Sequence, residues 1–283
     1  MNRLLSANFA RLWKSRIFWV MEVFVAAYSI MMYIDAYRTV EYGGKMIDNW
    51  NLYFFNDLMF MGIVMAVFTA FYVGVEYADG TIRNKIVVGH SRSNIYLANL
   101  IVCYVAGIIA FVTYSVLSLF MGLVLIGKEA VLKLRFPVQV AGVGLSIILA
   151  YTALYVMIAM VDAVKARMAL INMAIAIMIL SVGILVELKL QPEYYVVDKE
   201  TGKTRYITDA EEETEDIVRN SNYLAPGRKR DFYECLNLWT PSAQVMSLVG
   251  DGGHSGKQPL CMMALTVIFS GSGMWIFGRK EIK

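Results

Sequence analysis

Six apolar blocks dominate this chain and fix what it can fold into. They run over Ile17–Tyr33, Phe54–Val75, Leu97–Leu125, Val138–Val161, Met168–Val186 and Leu260–Phe277. An α-helix crossing ~30 Å of hydrocarbon needs about 20 mostly apolar residues, and it satisfies its own backbone groups where no water can. Each block is therefore a predicted membrane span. The third is long enough to tilt or to project beyond the bilayer. Composition agrees. Of 283 residues, 58% are hydrophobic and 17% charged, against about 45–50% and 25% in average soluble domains. Soluble globular, disordered and nucleic-acid-binding readings all fit poorly. The expected fold class is an all-α polytopic membrane protein with six transmembrane helices.

The placement of charge orients these spans. Segments 1–16, 76–96, 162–167 and 278–283 together carry twelve Lys and Arg, whereas the short loops 34–53 and 126–137 carry five. Segment 187–259 carries the other nine, but long loops count little in the positive-inside rule. Acidic residues run the other way, with 4 in the first set of segments and 17 opposite. The expected topology is N-in and C-in. The N-terminus lacks a small-x-small cleavage pattern, and Glu22 interrupts its apolar block. The first span then reads as a retained anchor, and a bacterial cytoplasmic membrane as its home.

Three regions follow. Residues 1–186 hold an interfacial helix and five spans, 187–259 form an extracellular cap, and 260–283 form the sixth span and a cytoplasmic tail. Residues 4–15 predict an amphipathic helix in the headgroup plane. Leu5, Phe9, Leu12 and Trp13 fall on one face, with Arg11 and Lys14 elsewhere. In 76–96, Gly80 and Gly89 punctuate the chain. Thr81–Val88 between them predicts a short helix with Ile82, Ile86 and Val87 apolar and Arg83 and Lys85 polar. Such a helix suits docking of another protein, and a plain solvated connector is the alternative.

Within the cap, Tyr194–Val197 and Lys203–Ile207 flank a Gly-containing turn and predict a β-hairpin. Thr208 and Glu211 form a capping box for an acidic helix through Val218. Thr240-Pro241 predicts a cap and first-turn proline for an amphipathic helix 241–249.

No catalytic constellation is present. His90 and His254 fall on opposite sides, and no HExxH, GxSxG or CxxC pattern occurs. Gly252–Gln258 fails the phosphate-loop spacing and lacks its metal-binding hydroxyl. The chain is expected to be no enzyme and to hold no cofactor or metal of its own. Cys103, Cys235 and Cys261 are too scattered for a disulfide framework, although Cys235 and Cys261 could meet near the outer surface. Glu22 is an intramembrane charge about five residues from the inner end of its helix. There, snorkelling or a pair with a basic residue is cheap, and an ion or proton pathway is the functional alternative. The methionines Met59, Met61, Met65, Met168, Met173 and Met178 predict core packing.

The layout resembles the membrane permease of bacterial ABC-2 type transporters over nearly the whole chain. Four features carry the resemblance: Leu4–Ser15 before the first span; Glu76, Gly80–Lys85, Gly89–Arg92 and Tyr96 in the connector; the helix behind Thr240-Pro241; and the Phe277–Lys283 end. It implies an exporter subunit with no nucleotide site of its own. A separate ATPase, in two copies, would carry ATP and Mg, and a second permease copy or paralogue would complete the assembly among membrane lipids. Residues 4–15 resemble the family's elbow helix. Residues 80–92 resemble its coupling helix, with Gly80, Thr81, Ile82, Arg83, Lys85, Ile86, Val87, Gly89 and Arg92 as the ATPase contact. Similar chains are linked to antimicrobial peptides, and lipid-like molecules, drugs and sodium are the other candidate substrates. Competing readings are a membrane sensor or scaffold with the cap as receptor, and a secondary transporter using Glu22.

Overall fold

The computed structural model describes residues 1–41, 50–125, 137–162, 164–197, 204–207, 217–249 and 257–280. The order is α1 (Asn2–Lys14), α2 (Arg16–Glu41), α3 (Trp50–Ala78), α4 (Thr81–Val87), α5 (Arg92–Leu125), α6 (Pro137–Val161) and α7 (Lys165–Leu190). Strands β1 (Tyr194–Val197), β2 (Thr204–Ile207) and β3 (Ile217–Arg219) follow, then α8 (Arg228–Trp239), α9 (Pro241–Val249) and α10 (Lys257–Arg279). Six helices are long and apolar enough to cross a membrane: α2, α3, α5, α6, α7 and α10. They coincide with the six apolar blocks. At 1.5 Å per residue the 34-residue α5 is about 51 Å long and outreaches ~30 Å of hydrocarbon.

Helices α3, α5 and α6 form the interior, and α2, α7 and α10 expose most of their apolar surface. Lipid tails are as apolar as leucine, so close packing rather than water exclusion joins such helices, and small residues let them approach. At Gly107 of α5 a Cβ would stand 3.0 Å from Ile148 of α6 and 3.1 Å from Met65 of α3. Buried Met61, Met65 and Met168 fill the interior as the sequence predicts, whereas Met178 is exposed.

The strands form one antiparallel sheet in the order β2-β1-β3. Tyr194 pairs with Ile207 and Val197 with Thr204; the turn between them lies outside the described residues. The acidic helix expected through Val218 does not extend that far. Val218 lies in β3 opposite Tyr195, where the β-branched pair Ile217-Val218 suits a strand edge. Residues 208–216, which carry the rest of that expectation, are outside the described set. Cys235 and Cys261 are both free thiols.

Helix α9 packs against the spans α3, α6 and α7. It begins at Pro241 as its cap signals require, and Ser242, Ala243, Gln244 and Val245 are fully buried. The Ser242 hydroxyl donates to the Ile179 carbonyl at 2.5 Å, and Gly183 faces Ser242 where any side chain would collide. Ile179 and Gly183 belong to the apolar stretch of α7, so α9 is packed among the spans, while α8, which precedes it, has no buried residue. The amide donors of Gln244 and Gln258 are served internally, whereas their side-chain oxygens have no partner among the described residues. The Gln244 amide donates to the Leu238 carbonyl at 2.7 Å and the Gln258 carbonyl at 3.3 Å, and the Gln258 amide donates to Ser247 at 3.1 Å. Amphipathicity marks a helix with two environments. Here the second environment is protein, and the sequence alone does not distinguish it from water.

Candidate functional site

The polar side chains at the α1 end of the bundle converge on Glu76. This carboxylate lies at the end of α3 and is almost fully buried. It pairs with Arg11 of α1 and Lys85 of α4. Its second oxygen accepts from the Asn99 amide of α5 at 2.7 Å. The Asn99 oxygen accepts from Arg11 at 3.2 Å and from Asn8 at 3.4 Å. Lys85 closes the ring by donating to the Asn8 side chain at 2.9 Å. Tyr72 donates to the Asn8 carbonyl at 3.0 Å, and Thr81 donates to the Glu76 carbonyl at 3.0 Å. The Arg11 guanidinium also lies 4.1 Å over the Tyr72 ring, a favourable cation–π arrangement. Four helices thus meet at one carboxylate. Burial pushes the Lys85 ammonium below its usual value, and Glu76 beside it opposes that shift.

A second cluster adjoins the first through the next residue of α3. The Tyr77 hydroxyl donates to the Met160 carbonyl at 2.5 Å, and Lys280 donates to Tyr77 at 3.0 Å. Arg92 at the start of α5 donates to the carbonyls of Gly278 and Lys280. The Glu76-Tyr77 step therefore links α1, α3, α4, α5, the end of α6 and the tail after α10.

These contacts redistribute the residues singled out in the sequence. Gly80 and Gly89 bound α4 with φ of 65° and 94°, the left-handed conformation that favours glycine. Ile82 is buried, and Ile86 packs against the core. Lys85 and Arg92, expected to reach a partner, are engaged within the chain instead. The outward face is Arg83 with Val87 and Val88, the two valines 78% and 77% exposed. Helix α1 packs three of the four apolar residues of the expected face, Leu5, Phe9 and Leu12, against the core. Its buried stripe is Leu4, Asn8 and Leu12, with Leu5 and Phe9 partly buried against the core. Trp13 and Lys14 are exposed. Arg11 turns inward to Glu76 because a buried carboxylate requires a partner. Trp19 donates to the Trp13 carbonyl at 2.9 Å, and both exposed indoles suit a membrane interface.

Asn8, Tyr72 and Asn99 were given no role by sequence reasoning, and Glu76 served only as part of a motif. One signal was available: Asn8 interrupts an otherwise apolar i, i+4, i+8 stripe between Leu4 and Leu12. A polar residue at such a position needs a buried partner.

Glu22 is buried, and of the two structural alternatives no pair with a basic residue is seen among the described residues. Thr113 of α5 donates to one of its oxygens at 2.9 Å, and the other has no partner among the described residues. An amide can still accept from Thr113, and it avoids the cost of burying a charge. Glu22→Gln is therefore expected to change thermal stability in detergent by less than about 1 kcal/mol. A much larger loss would reveal an ionised, charge-paired Glu22.

Among the described residues, no three or more His, Cys, Asp or Glu side chains gather as a metal site. The chain thus joins six helices long and apolar enough to cross a membrane to a buried charge cluster at one end, as a multi-pass helical membrane protein would. No protein-family model and no curated protein matches the chain.

Proposed function

We propose that this chain is the transmembrane permease subunit of an ATP-binding-cassette exporter of the ABC-2 type. The supporting observation is the division of α4 into two faces. Its inner face is tied through Lys85, Ile82 and Ile86 to the joint at Glu76, while its outer face offers Arg83, Val87 and Val88. A soluble motor can move membrane helices only through a contact that is sticky outside and rigid inside. A separate ATPase that binds ATP and Mg supplies the motor, in two copies, and a second permease copy or paralogue completes the path. Closure of the ATPases displaces α4, and the shared carboxylate carries the motion to α1, α3 and α5 together. The ligand-driven bias arises because ATP favours one arrangement over the other.

In this reading the α1 end is cytoplasmic, as its excess of Lys and Arg favours. Antimicrobial peptides and lipid-like or drug molecules are the proposed substrate classes. The test is a mild-detergent pull-down of the chain from its native membrane. An accompanying ATPase in two-to-two stoichiometry is expected. Recovery of the chain alone, or with a partner lacking ATPase activity, would favour a sensor or secondary transporter.

A further inference from the structure

We propose that the headgroup of an anionic phospholipid occupies the cavity between α1, the start of α2 and the end of α3. The cavity measures about 400 Å³. Arg11, Lys14, Arg16, Ile17, Tyr72 and Val75 are among the residues that line it, and its wall is mostly apolar.

Charge balance asks for an anion here. Arg11 and Lys85 share the single carboxylate of Glu76, which leaves one half-buried positive charge uncompensated within the network. The Arg11 Nε is buried without an acceptor among the described residues. Lys14 and Arg16 are exposed, and neither forms an ion pair with a described residue. A phosphodiester brings one negative charge and several acceptor oxygens to these donors, and arginine is well shaped to meet them.

The apolar wall identifies the source of that phosphate. Ile17 stands where the apolar stretch of α2 begins and Val75 where that of α3 ends. An acyl chain descending from the headgroup continues along that wall into hydrocarbon. A free anion makes no use of it. Basic residues beside a span attract anionic lipid in general; the cavity adds a fixed seat. The inference stands on the membrane-spanning fold and does not depend on an ATPase partner.

The test is native mass spectrometry of the full chain in non-ionic detergent, titrated with phosphatidylglycerol, phosphatidylcholine or inorganic phosphate. Preferential retention of phosphatidylglycerol is expected. Lys14→Gln with Arg16→Gln should weaken it about ten-fold or more, and both positions are exposed enough for glutamine to leave packing intact. Ile17→Trp should weaken it by narrowing the cavity with every charge in place. Arg3→Gln, elsewhere on α1, should not. Equal losses from Arg3→Gln would reduce the effect to a general surface field and overturn the site. Unchanged retention in the double variant, or no preference over phosphatidylcholine, would also overturn it. Displacement by inorganic phosphate at equal concentration would show a free-anion site and overturn the lipid assignment.

Discussion

Glu76→Gln lowers the stability of the purified chain by about 3 kcal/mol or more, the largest effect expected of any single substitution at the α1 end. Removing one partner of a buried ion pair costs about 3–5 kcal/mol, because the remaining charge stays desolvated. Here two cations lose the same negative charge, and the one oxygen left cannot serve both the cations and the Asn99 amide that donates to Glu76 at 2.7 Å. Glutamine keeps the size and one acceptor, so the loss reports charge rather than volume. Thermal unfolding in mild detergent measures it. Adding Lys85→Met should recover part of the loss, since it removes one of the two stranded cations. A neutral Glu76→Gln would mean that packing alone joins α1, α3, α4 and α5.

Val87→Asp abolishes permease-stimulated ATP hydrolysis while leaving the chain folded, if α4 docks an ATPase. Val87 is 78% exposed, so aspartate there disturbs stability by no more than about 0.5 kcal/mol. A carboxylate pressed into an apolar pocket of a partner is instead left unpaired and desolvated. Stimulated turnover should fall at least about ten-fold, corresponding to roughly 1.4 kcal/mol of lost interaction, with unchanged elution and thermal midpoint. Ile86→Asp is a poorer probe. Ile86 packs against the core, so that substitution mixes loss of docking with loss of folding. Normal stimulation with Val87→Asp would remove the outer face of α4 from the docking surface.

Much of the fold was legible because the solvent imposes it. A run such as Val138–Val161 has few stable states other than a buried or membrane-spanning helix, and the structure places α6 there. Gly80 and Gly89 bounded α4 correctly because the left-handed turns they adopt strongly favour glycine. The burial of Asn8 on α1 was not legible. A polar residue between Leu4 and Leu12 is buried because it finds Asn99 and Lys85, residues 91 and 77 positions away. Periodicity sees only one helix at a time. For the same reason Lys85 reads, by resemblance, as a contact to a partner ATPase, when its carboxylate lies nine residues earlier across a turn.

The packing of α9, with α8 before it, also sets an order of assembly during synthesis. Neither helix is long enough to cross a bilayer, and buried Gln244 opposes unaided entry into lipid. The seat α9 needs is built by α3, α6 and α7, all made earlier. One of the carbonyls that Gln244 satisfies belongs to Gln258, at the start of the last helix. That contact can form only after the ribosome has delivered the beginning of α10, so the packing of α9 is completed by the last helix to be made.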